Sequence, residues 1–146
     1  MSKRIAVLGL GAMGLPMASH LAKTFEVTGF DPFEERRALA AQRGVAVADS
    51  APAAASGADF VLIAVRNAAQ LEEVLHGPSG VVPVLGPGAA IILTSTVGAE
   101  AVEAEADRLA ETGIGLVDAP VSGGPVRAGE GDLLVTCGAT PQVLEV

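Results

Sequence analysis

The sequence is poor in aromatic residues, with no Trp, no Tyr and four Phe among its 146 residues. Half of the residues are nevertheless hydrophobic, so a core must be built from Ala, Val, Leu and Ile. This composition is typical of a parallel sheet covered by helices rich in small residues. The length suits one domain with a core of its own.

Positive charge is also scarce, with nine Lys and Arg against seventeen Asp and Glu, for a formal net charge of −8. No basic cluster is longer than a pair. Because such a surface repels nucleic acid and anionic membranes, we expect neither as a partner. No N-terminal apolar stretch is long enough for a signal peptide or a membrane span, so we expect a cytoplasmic location.

Cysteine and histidine are rare as well. The single Cys137 excludes a disulfide within one chain, and the apolar run at 133–137 predicts that it is a buried small hydrophobe. His20 and His76 show no ligand spacing to other groups, so no metal site is predicted. Both histidines are expected on helix surfaces or ends.

The glycine-rich stretch near the N-terminus is the most informative part of the sequence. An apolar run at 5–8 leads into a G-x-G-x-x-G motif, and an amphipathic stretch at 15–23 follows. A second β-type run at 25–30 ends in Asp31, twenty positions after the middle glycine. Strand, tight turn, helix, strand and acid in this order predict a dinucleotide-binding site. The predicted cofactor-binding residues of the motif are Gly9, Leu10, Gly11, Ala12, Met13 and Gly14.

Each glycine of the motif has a physical role. Gly9 permits a sharp turn after the strand, Gly11 lets the backbone approach a pyrophosphate, and Gly14 lets the helix pack closely against the strands. The helix N-terminus then presents N–H groups and a positive dipole end to the phosphates. The loop lacks the G-K-[ST] ending of a P-loop, which disfavours a nucleotide triphosphatase. The alternative is a glycine-rich turn that only packs a βαβ unit.

Asp31 bears on the choice of cofactor. A carboxylate at this position can accept hydrogen bonds from the adenosine ribose and would repel a 2′-phosphate, which favours NAD over NADP. Arg36 and Arg37 follow closely and would soften that repulsion. A solvated first turn of the next helix is the expected role of both arginines.

Apolar runs and helical patterns alternate along the chain, which predicts an α/β fold with a Rossmann-like, doubly wound, mostly parallel sheet and helices on both faces. Leu39 is the expected core contact of the helix after Asp31, and Asn67 is the expected N-cap of a later helix. Residues 123–131 are predicted to form a glycine-rich loop before a last strand at 133–137. Further strands are predicted at 45–47, 59–65, 90–93 and 114–117, and helices at 34–43, 52–56, 67–75 and 99–111.

The C-terminal residues predict the start of another helix. Thr140 has the position of an N-cap and Pro141 that of the first helical residue, yet only about two turns could follow. We therefore expect residues 1–146 to be the dinucleotide-binding domain of a longer protein. The alternative is a short tail that packs or frays.

Three segments together resemble one enzyme family. They are residues 8–14 with Met17 and Ala18, the run Thr94-Ser95-Thr96-Val97, and residues 118–124 followed by Ala128 and Gly131. The combination is similar to the β-hydroxyacid dehydrogenases, which include 3-hydroxyisobutyrate, tartronate semialdehyde and L-threonate dehydrogenases and their 6-phosphogluconate relatives. The resemblance covers essentially the whole chain, and residues 67–70 and 125–128 look closest to the L-threonate type.

The resemblance implies hydride transfer between a nicotinamide cofactor and a small hydroxy acid. Thr96 would lie beside the nicotinamide, at the carboxyl end of its strand, where open α/β sheets bind ligands. A hydroxyl followed by two unobstructed backbone N–H groups would hold the substrate carboxylate, although a flexible turn is the alternative. The residues implied for the cofactor at the end of another strand are Val65, Arg66 and Asn67, and those for the carboxylate are Ser122, Gly123 and Gly124.

The catalytic lysine of the family is missing from this chain. In the family it lies in a G-x-x-x-K-x-x-N motif on a helix after the cofactor domain, and here Lys3 and Lys23 are the two lysines. Oxidation of an alcohol needs a base for the hydroxyl proton. We therefore expect this chain to bind dinucleotide but to turn over negligibly. A following all-helical domain would supply the lysine and, as is usual in the family, form a homo-oligomer.

Two other functions remain open from the sequence. The chain could be a non-catalytic module that senses dinucleotide or serves as an interaction platform. The second open function is that of an NADP-linked reductase of imines or aldehydes in the same superfamily. That reductase predicts a basic residue where Asp31 and Pro32 stand.

Overall fold

A six-stranded parallel sheet forms the centre of the computed structural model, which describes residues 2–145. The strand order is β3-β2-β1-β4-β5-β6, and a separate antiparallel pair, β7-β8, lies outside this sheet. The strands are β1 (Arg4–Leu8), β2 (Glu26–Phe30), β3 (Ala46–Val47), β4 (Phe60–Ile63), β5 (Ala90–Leu93), β6 (Gly115–Asp118), β7 (Val121–Ser122) and β8 (Leu134–Val135).

Helices connect the strands and cover both faces of the sheet. A short 3₁₀ turn, Val82–Val84, precedes β5. No helix of the described residues is both long and apolar enough to cross a bilayer. The helices are α1 (Gly14–Leu21), α2 (Glu34–Gln42), α3 (Ala51–Ala55), α4 (Ala68–His76), α5 (Ala99–Ala110), α6 (Gly124–Glu130) and α7 (Pro141–Leu144).

The predicted doubly wound sheet is confirmed. β1 is paired with β2 on one side and β4 on the other, both in parallel, with Ile5 opposite Val27 and Phe60. The chain builds β1 to β3 toward one edge of the sheet and then crosses back to β4, so the strand order switches direction between β1 and β4. In an open α/β sheet, a ligand crevice lies at this switch point, beyond the carboxyl ends of the strands.

Two cores lie on the two faces of the sheet, as helices on both faces require. Small residues are frequent in both, as the composition predicts, and the partly buried Phe30 and Phe60 pack against them. The first core includes Leu15, Met17 and Ala18 of α1 and Ala40 of α2. The second core includes Ala54 and Ala55 of α3, Leu71 and Leu75 of α4, and Leu109 of α5.

Several helix ends follow the predicted chemistry. The Asn67 side chain accepts a hydrogen bond from the Gln70 N–H at 2.9 Å and so caps α4, as predicted. Pro141 is the first residue of α7, also as predicted, with Thr140 before it. Because Asn67 satisfies a free N–H at this helix start, it fixes where α4 begins.

The prediction that Leu39 anchors α2 in the core is wrong. Leu39 is 41% exposed, whereas its neighbour Ala40 is fully buried. One residue turns a helix by about 100°, so the two side chains face different directions. The helix packs through the methyl group of Ala40, which allows a close approach that a leucine would prevent.

The predictions for the region after β7 also need correction. Residues 123–131 contain a helix, α6, rather than a continuous loop, since the glycines lie mainly at its two ends. Gly131 ends the helix in the left-handed conformation, at φ 71°, which is the usual place for a terminal glycine. The last strand is limited to Leu134–Val135, and Cys137 is exposed rather than buried, because this strand belongs to the small β7-β8 pair.

A polar cluster joins α4 to α5 and corrects the expectation that His76 has no partner groups at ligand spacing. His76 Nε2 lies 2.8 Å from Glu105 Oε2, and Arg108 Nη1 lies 3.0 Å from both carboxylate oxygens of Glu72. Glu72, His76 and Glu105 offer their ligand atoms within 4.8 Å of one another. The Arg108 cation is already in contact with Glu72, so this arrangement is a salt-bridge network between two helices.

The two leucines provide a test of the packing. We expect Leu109→Ala to lower the free energy of unfolding by about 2–5 kcal/mol, because it leaves a cavity in a fully buried site. Leu39→Ala, at a partly exposed site, should cost less than about 1 kcal/mol. Urea denaturation of the two variants would measure both values. Equal losses would contradict the placement of α2 and α5.

The Glu72–Arg108 contact provides a test by titration. The hydrogen bond from the Arg108 guanidinium lowers the pKa of the exposed Glu72 carboxyl. We expect Arg108→Met to raise that pKa toward its ordinary value, as followed by NMR of the Glu72 side chain. The pKa of Glu72 is lower in the folded chain than in the unfolded chain, so the contact stabilises the fold at pH values above the ordinary carboxyl pKa. This stabilisation is lost as the pH falls through the lowered pKa. Arg43→Met, at the end of α2, is the control and should leave Glu72 unchanged.

Candidate functional site

A cavity of about 780 Å³ lies where β1, β2, β4 and β5 end. Its walls include the glycine loop after β1, Asp31 after β2, residues 64–66 after β4, and residues 94–96 after β5. A smaller cavity of about 320 Å³ lies near Arg4 and Glu26, at the opposite ends of the strands. The larger cavity is at the position where the strand order predicts a ligand.

Two glycines of the loop have no room for a side chain. Gly9 has φ +102°, and a β-carbon there would lie 2.5 Å from the Ala64 carbonyl oxygen. A β-carbon on Gly14 would overlap the carbonyl oxygen of Gly9. The predicted sharp turn and the close packing of α1 are therefore confirmed. The Gly9 N–H also donates to the Phe30 carbonyl at 2.9 Å, which ties the turn to β2.

Gly11 differs from these two because space remains around it. Around an ideal β-carbon at Gly11, the atoms within 4 Å belong to the Arg36 guanidinium, at 3.6 and 3.9 Å. Helix α1 begins beside it, and among the described residues no side chain caps its start and no acid lies in its first turn. Its first N–H groups and its positive dipole end therefore suit a bound anion.

Asp31 is 2% exposed and fastens the glycine loop to the end of β2. One carboxylate oxygen accepts from the Leu10 N–H at 2.9 Å, and the other accepts from the Phe33 N–H at 2.9 Å. Arg36 Nη1 lies 3.5 Å from the first oxygen. A carboxylate has about four acceptor positions, so Asp31 retains capacity for a ligand hydroxyl. Its role in shaping the loop was not predicted from the sequence.

The two arginines after Asp31 are more than a solvated helix turn. The Arg36 guanidinium lies 4.9 Å from the centre of the Phe33 ring, and both residues line the cavity. Arg37 Nη1 donates to the Asp31 carbonyl at 2.7 Å and so holds the turn between β2 and α2. Arg36 keeps the predicted solvated position, since 47% of its side chain is exposed, and its cation also lies beside the Asp31 carboxylate and the glycine loop.

Hydrogen bonds between strand ends shape the other side of the cavity. The Val65 N–H donates to Ser95 Oγ at 2.7 Å, and Thr94 Oγ1 donates to the Ile63 carbonyl at 3.0 Å. The Arg66 N–H donates to Gln70 Oε1 at 2.8 Å. Ser95 and Gln70 were not predicted as site residues, although the three consecutive hydroxyl residues 94–96, directly after β5, are the signal that could have found Ser95.

The structure brings most of the predicted residues to the cavity wall. Leu10 and Asn67 do not line it: the Leu10 side chain is buried in the core below, and Asn67 caps α4. Ser122 and Gly123 lie just outside the lining, next to Val121 and Gly124, which are part of it. The predicted residues that line the cavity are Gly9, Gly11, Ala12, Met13, Gly14, Asp31, Val65, Arg66, Thr96 and Gly124.

The cavity lining has donors suited to anions and hydroxyl groups and few side chains suited to proton transfer. Within residues 2–145, no lysine or histidine lines it. Lys3 lies over the Phe60 ring, and Lys23 lies 3.4 Å from His20 Nδ1, both away from the lining. The walls therefore offer helix and backbone donors, the hydroxyl residues 94–96, the buried carboxylate of Asp31, the exposed residue Glu73, and two arginines, Arg36 and Arg66.

Comparison with known proteins agrees with this geometry. The family model described as the NAD-binding domain of 6-phosphogluconate dehydrogenase matches residues 4–146. The chain is 37% identical to 2-(hydroxymethyl)glutarate dehydrogenase of Eubacterium barkeri, over 99% of the chain and 48% of that protein. It is 40% identical to L-threonate dehydrogenase of Cupriavidus necator, over 91% of the chain and 45% of that protein.

A solved structure shows the same arrangement. The 3-hydroxyisobutyrate dehydrogenase of Mycobacterium tuberculosis superposes with a TM-score of 0.92 at 32% identity, over 99% of this chain and 49% of that one. The chain thus spans about half the length of the relatives it matches. Sequence, cavity and superposition agree, and the chain belongs to the β-hydroxyacid dehydrogenase family as a nicotinamide-dinucleotide-binding domain.

Proposed function

We propose that this chain is the cofactor-binding part of an NAD-dependent dehydrogenase that transfers a hydride between nicotinamide and a small hydroxy acid. The observation that carries the proposal is the cavity at the switch point, with the bare backbone of Gly11 and the uncapped start of α1 on its wall. Relatives named for L-threonate and 3-hydroxyisobutyrate support substrates of that class.

The residues present fit a dinucleotide. Residues 9–14 would hold the pyrophosphate, because Gly11 leaves space for it and α1 offers its N-terminus. Asp31 would accept a ribose hydroxyl at the adenosine end. Val65, Arg66 and Thr96 would line the nicotinamide end, with Asn67 behind them as the helix cap. When bound, the nicotinamide supplies the hydride chemistry, and these residues orient it and exclude water.

NAD is the proposed cofactor, with NADP less favoured. The Asp31 carboxylate is buried, and a 2′-phosphate close to it would be repelled without much screening by water. Arg36, at 3.5 Å from that carboxylate, offsets part of the repulsion. The carboxylate has two backbone N–H partners and is fixed in place, whereas Arg36 is a half-exposed side chain.

Ser122, Gly123 and Gly124 are the proposed site of the substrate carboxylate. Gly124 lines the cavity, and the exposed Ser122 lies two residues before it. The proton of the substrate hydroxyl needs a base, and no Lys or His lines the cavity within the described residues. We propose that an all-helical domain beyond this one supplies a lysine and the homo-oligomer contacts of a cytoplasmic enzyme. Dinucleotide binding without turnover in the complete gene product would favour a sensing module instead.

Gly11→Leu tests the pyrophosphate site. The leucine side chain would occupy the open space beside Arg36, and we expect the dissociation constant for NADH to rise at least about tenfold, or 1.4 kcal/mol. Gly86→Leu, also in open space, is the matched control and should bind normally. NADH fluorescence titration measures both, and an unchanged affinity for Gly11→Leu would contradict the site.

Asp31→Asn tests the cofactor preference. The amide keeps one acceptor oxygen but turns an NH₂ group toward a backbone donor, so we expect a loss of about 1–3 kcal/mol in stability. The affinity ratio of NADH to NADPH should also fall. Asp59→Asn is the control, because Asp59 accepts a backbone N–H from Arg4 at the other end of the sheet. If stability falls and the ratio stays constant, Asp31 shapes the loop without selecting NAD.

A further inference from the structure

Helix α6 begins within the proposed carboxylate site, at Gly124, and it is buried on one side and exposed on the other. Its first residue, Gly124, lines the cavity, and Ala128 is 1% exposed. Val126 is 74% exposed, and Arg127 pairs with the nearby exposed Asp132. A helix of seven residues has little stability of its own, so its position depends on its contacts with the rest of the fold.

His20 of α1 supplies a specific contact to the end of α6. Its Nε2 lies 2.7 Å from the Gly129 carbonyl oxygen. A carbonyl only accepts, so Nε2 carries the hydrogen in this arrangement. Nδ1 lies 3.4 Å from Lys23 Nζ, and since an ammonium only donates, Nδ1 is the acceptor. Both ring nitrogens are therefore used, and the tautomer is set by the two partners.

The imidazole also packs against Gly131. A β-carbon on Gly131 would lie 3.0 Å from His20 Cε1 and 3.2 Å from Nδ1. The backbone there has φ +71° and closes α6 through a hydrogen bond from the Asp132 N–H to the Arg127 carbonyl at 2.8 Å. The ring thus contacts the turn that ends α6 at a bare backbone, a role for Gly131 that the cofactor site does not explain.

Helix α1 therefore has two functions at its two ends. Gly14 at its start belongs to the dinucleotide loop, and His20, near its end, holds α6. We infer that His20 is a positioning residue, which fixes the segment 122–124 relative to the dinucleotide loop. This inference rests on the proposed function, because it assigns the segment to the substrate carboxylate.

The first test needs no cofactor. In His20→Leu, we expect amide hydrogen exchange at Gly131 and Asp132 to accelerate at least about tenfold, because the end of α6 loses its hydrogen bond to α1. His20→Gln keeps an N–H donor for the Gly129 carbonyl and should restore most of the protection. In the wild type, ¹⁵N shifts of the imidazole should show hydrogen on Nε2. Equal exchange in all three proteins, or an Nε2 that carries no hydrogen, would overturn the contact.

The second test measures the effect on substrate. In the complete gene product, we expect His20→Leu to raise the KM for the hydroxy acid about tenfold, to leave the dissociation constant for NADH within about twofold, and to be largely rescued by His20→Gln. An unchanged KM, or an equal loss of NADH affinity, would overturn the positioning role. If the wild type binds NADH and oxidises no hydroxy acid, the proposed function fails, whereas the exchange experiment still decides whether His20 holds α6.

A matched pair of glycine variants separates backbone strain from contact with the ring. Gly131→Ala and Gly44→Ala both place alanine in the left-handed region at a helix end, at φ +71° and +81°. Only Gly131 faces the imidazole, since nothing lies within 4 Å of a β-carbon at Gly44. We expect both to lower the thermal midpoint, and only Gly131→Ala to raise KM. The same KM for both variants would overturn the inference.

Discussion

The close contact between the start of α1 and the end of β1 is the constraint on which the rest of the structure depends. Gly14 lies directly against the Gly9 carbonyl, so the helix N-terminus stands immediately above the strand end. Asp31 then ties the same loop to β2 through the Leu10 N–H. The open space at Gly11 therefore lies beside the start of α1 and is bordered by the Arg36 guanidinium.

Much of the fold was predictable because its signals are local. The buried runs of β1, β4 and β5, the cap at Asn67 and the glycine motif each follow from a few neighbouring residues. The burial of Ala40 instead of Leu39 was not predictable, since it depends on how closely α2 approaches the sheet. Cys137 was placed in the core because its neighbours are apolar, but the pair β7-β8 stands apart from the main sheet.

The features of the candidate site also divide into those predictable from local sequence and those that depend on the folded chain. The glycine loop was identified from spacing, whereas the second role of Asp31 and the contacts of Arg36 depend on atoms that only the folded chain brings together. His20 and Gly129 are 109 positions apart, so nothing in the sequence near either residue indicates their hydrogen bond. Glycines also mark both loops and helix ends, which is why α6 was expected to be a loop.

The position of β1 between β2 and β4 has a consequence for how the chain folds. β1 and β2 pair across a single short helix, but Ile5 meets Phe60 of β4 only after a segment of 55 positions has closed. Closing so long a segment costs conformational entropy before any contact between the two strands offsets that cost. We therefore expect the first βαβ unit to organise early and the seam between β1 and β4 to form late. The crevice at that seam would then be completed only when the sheet itself is complete.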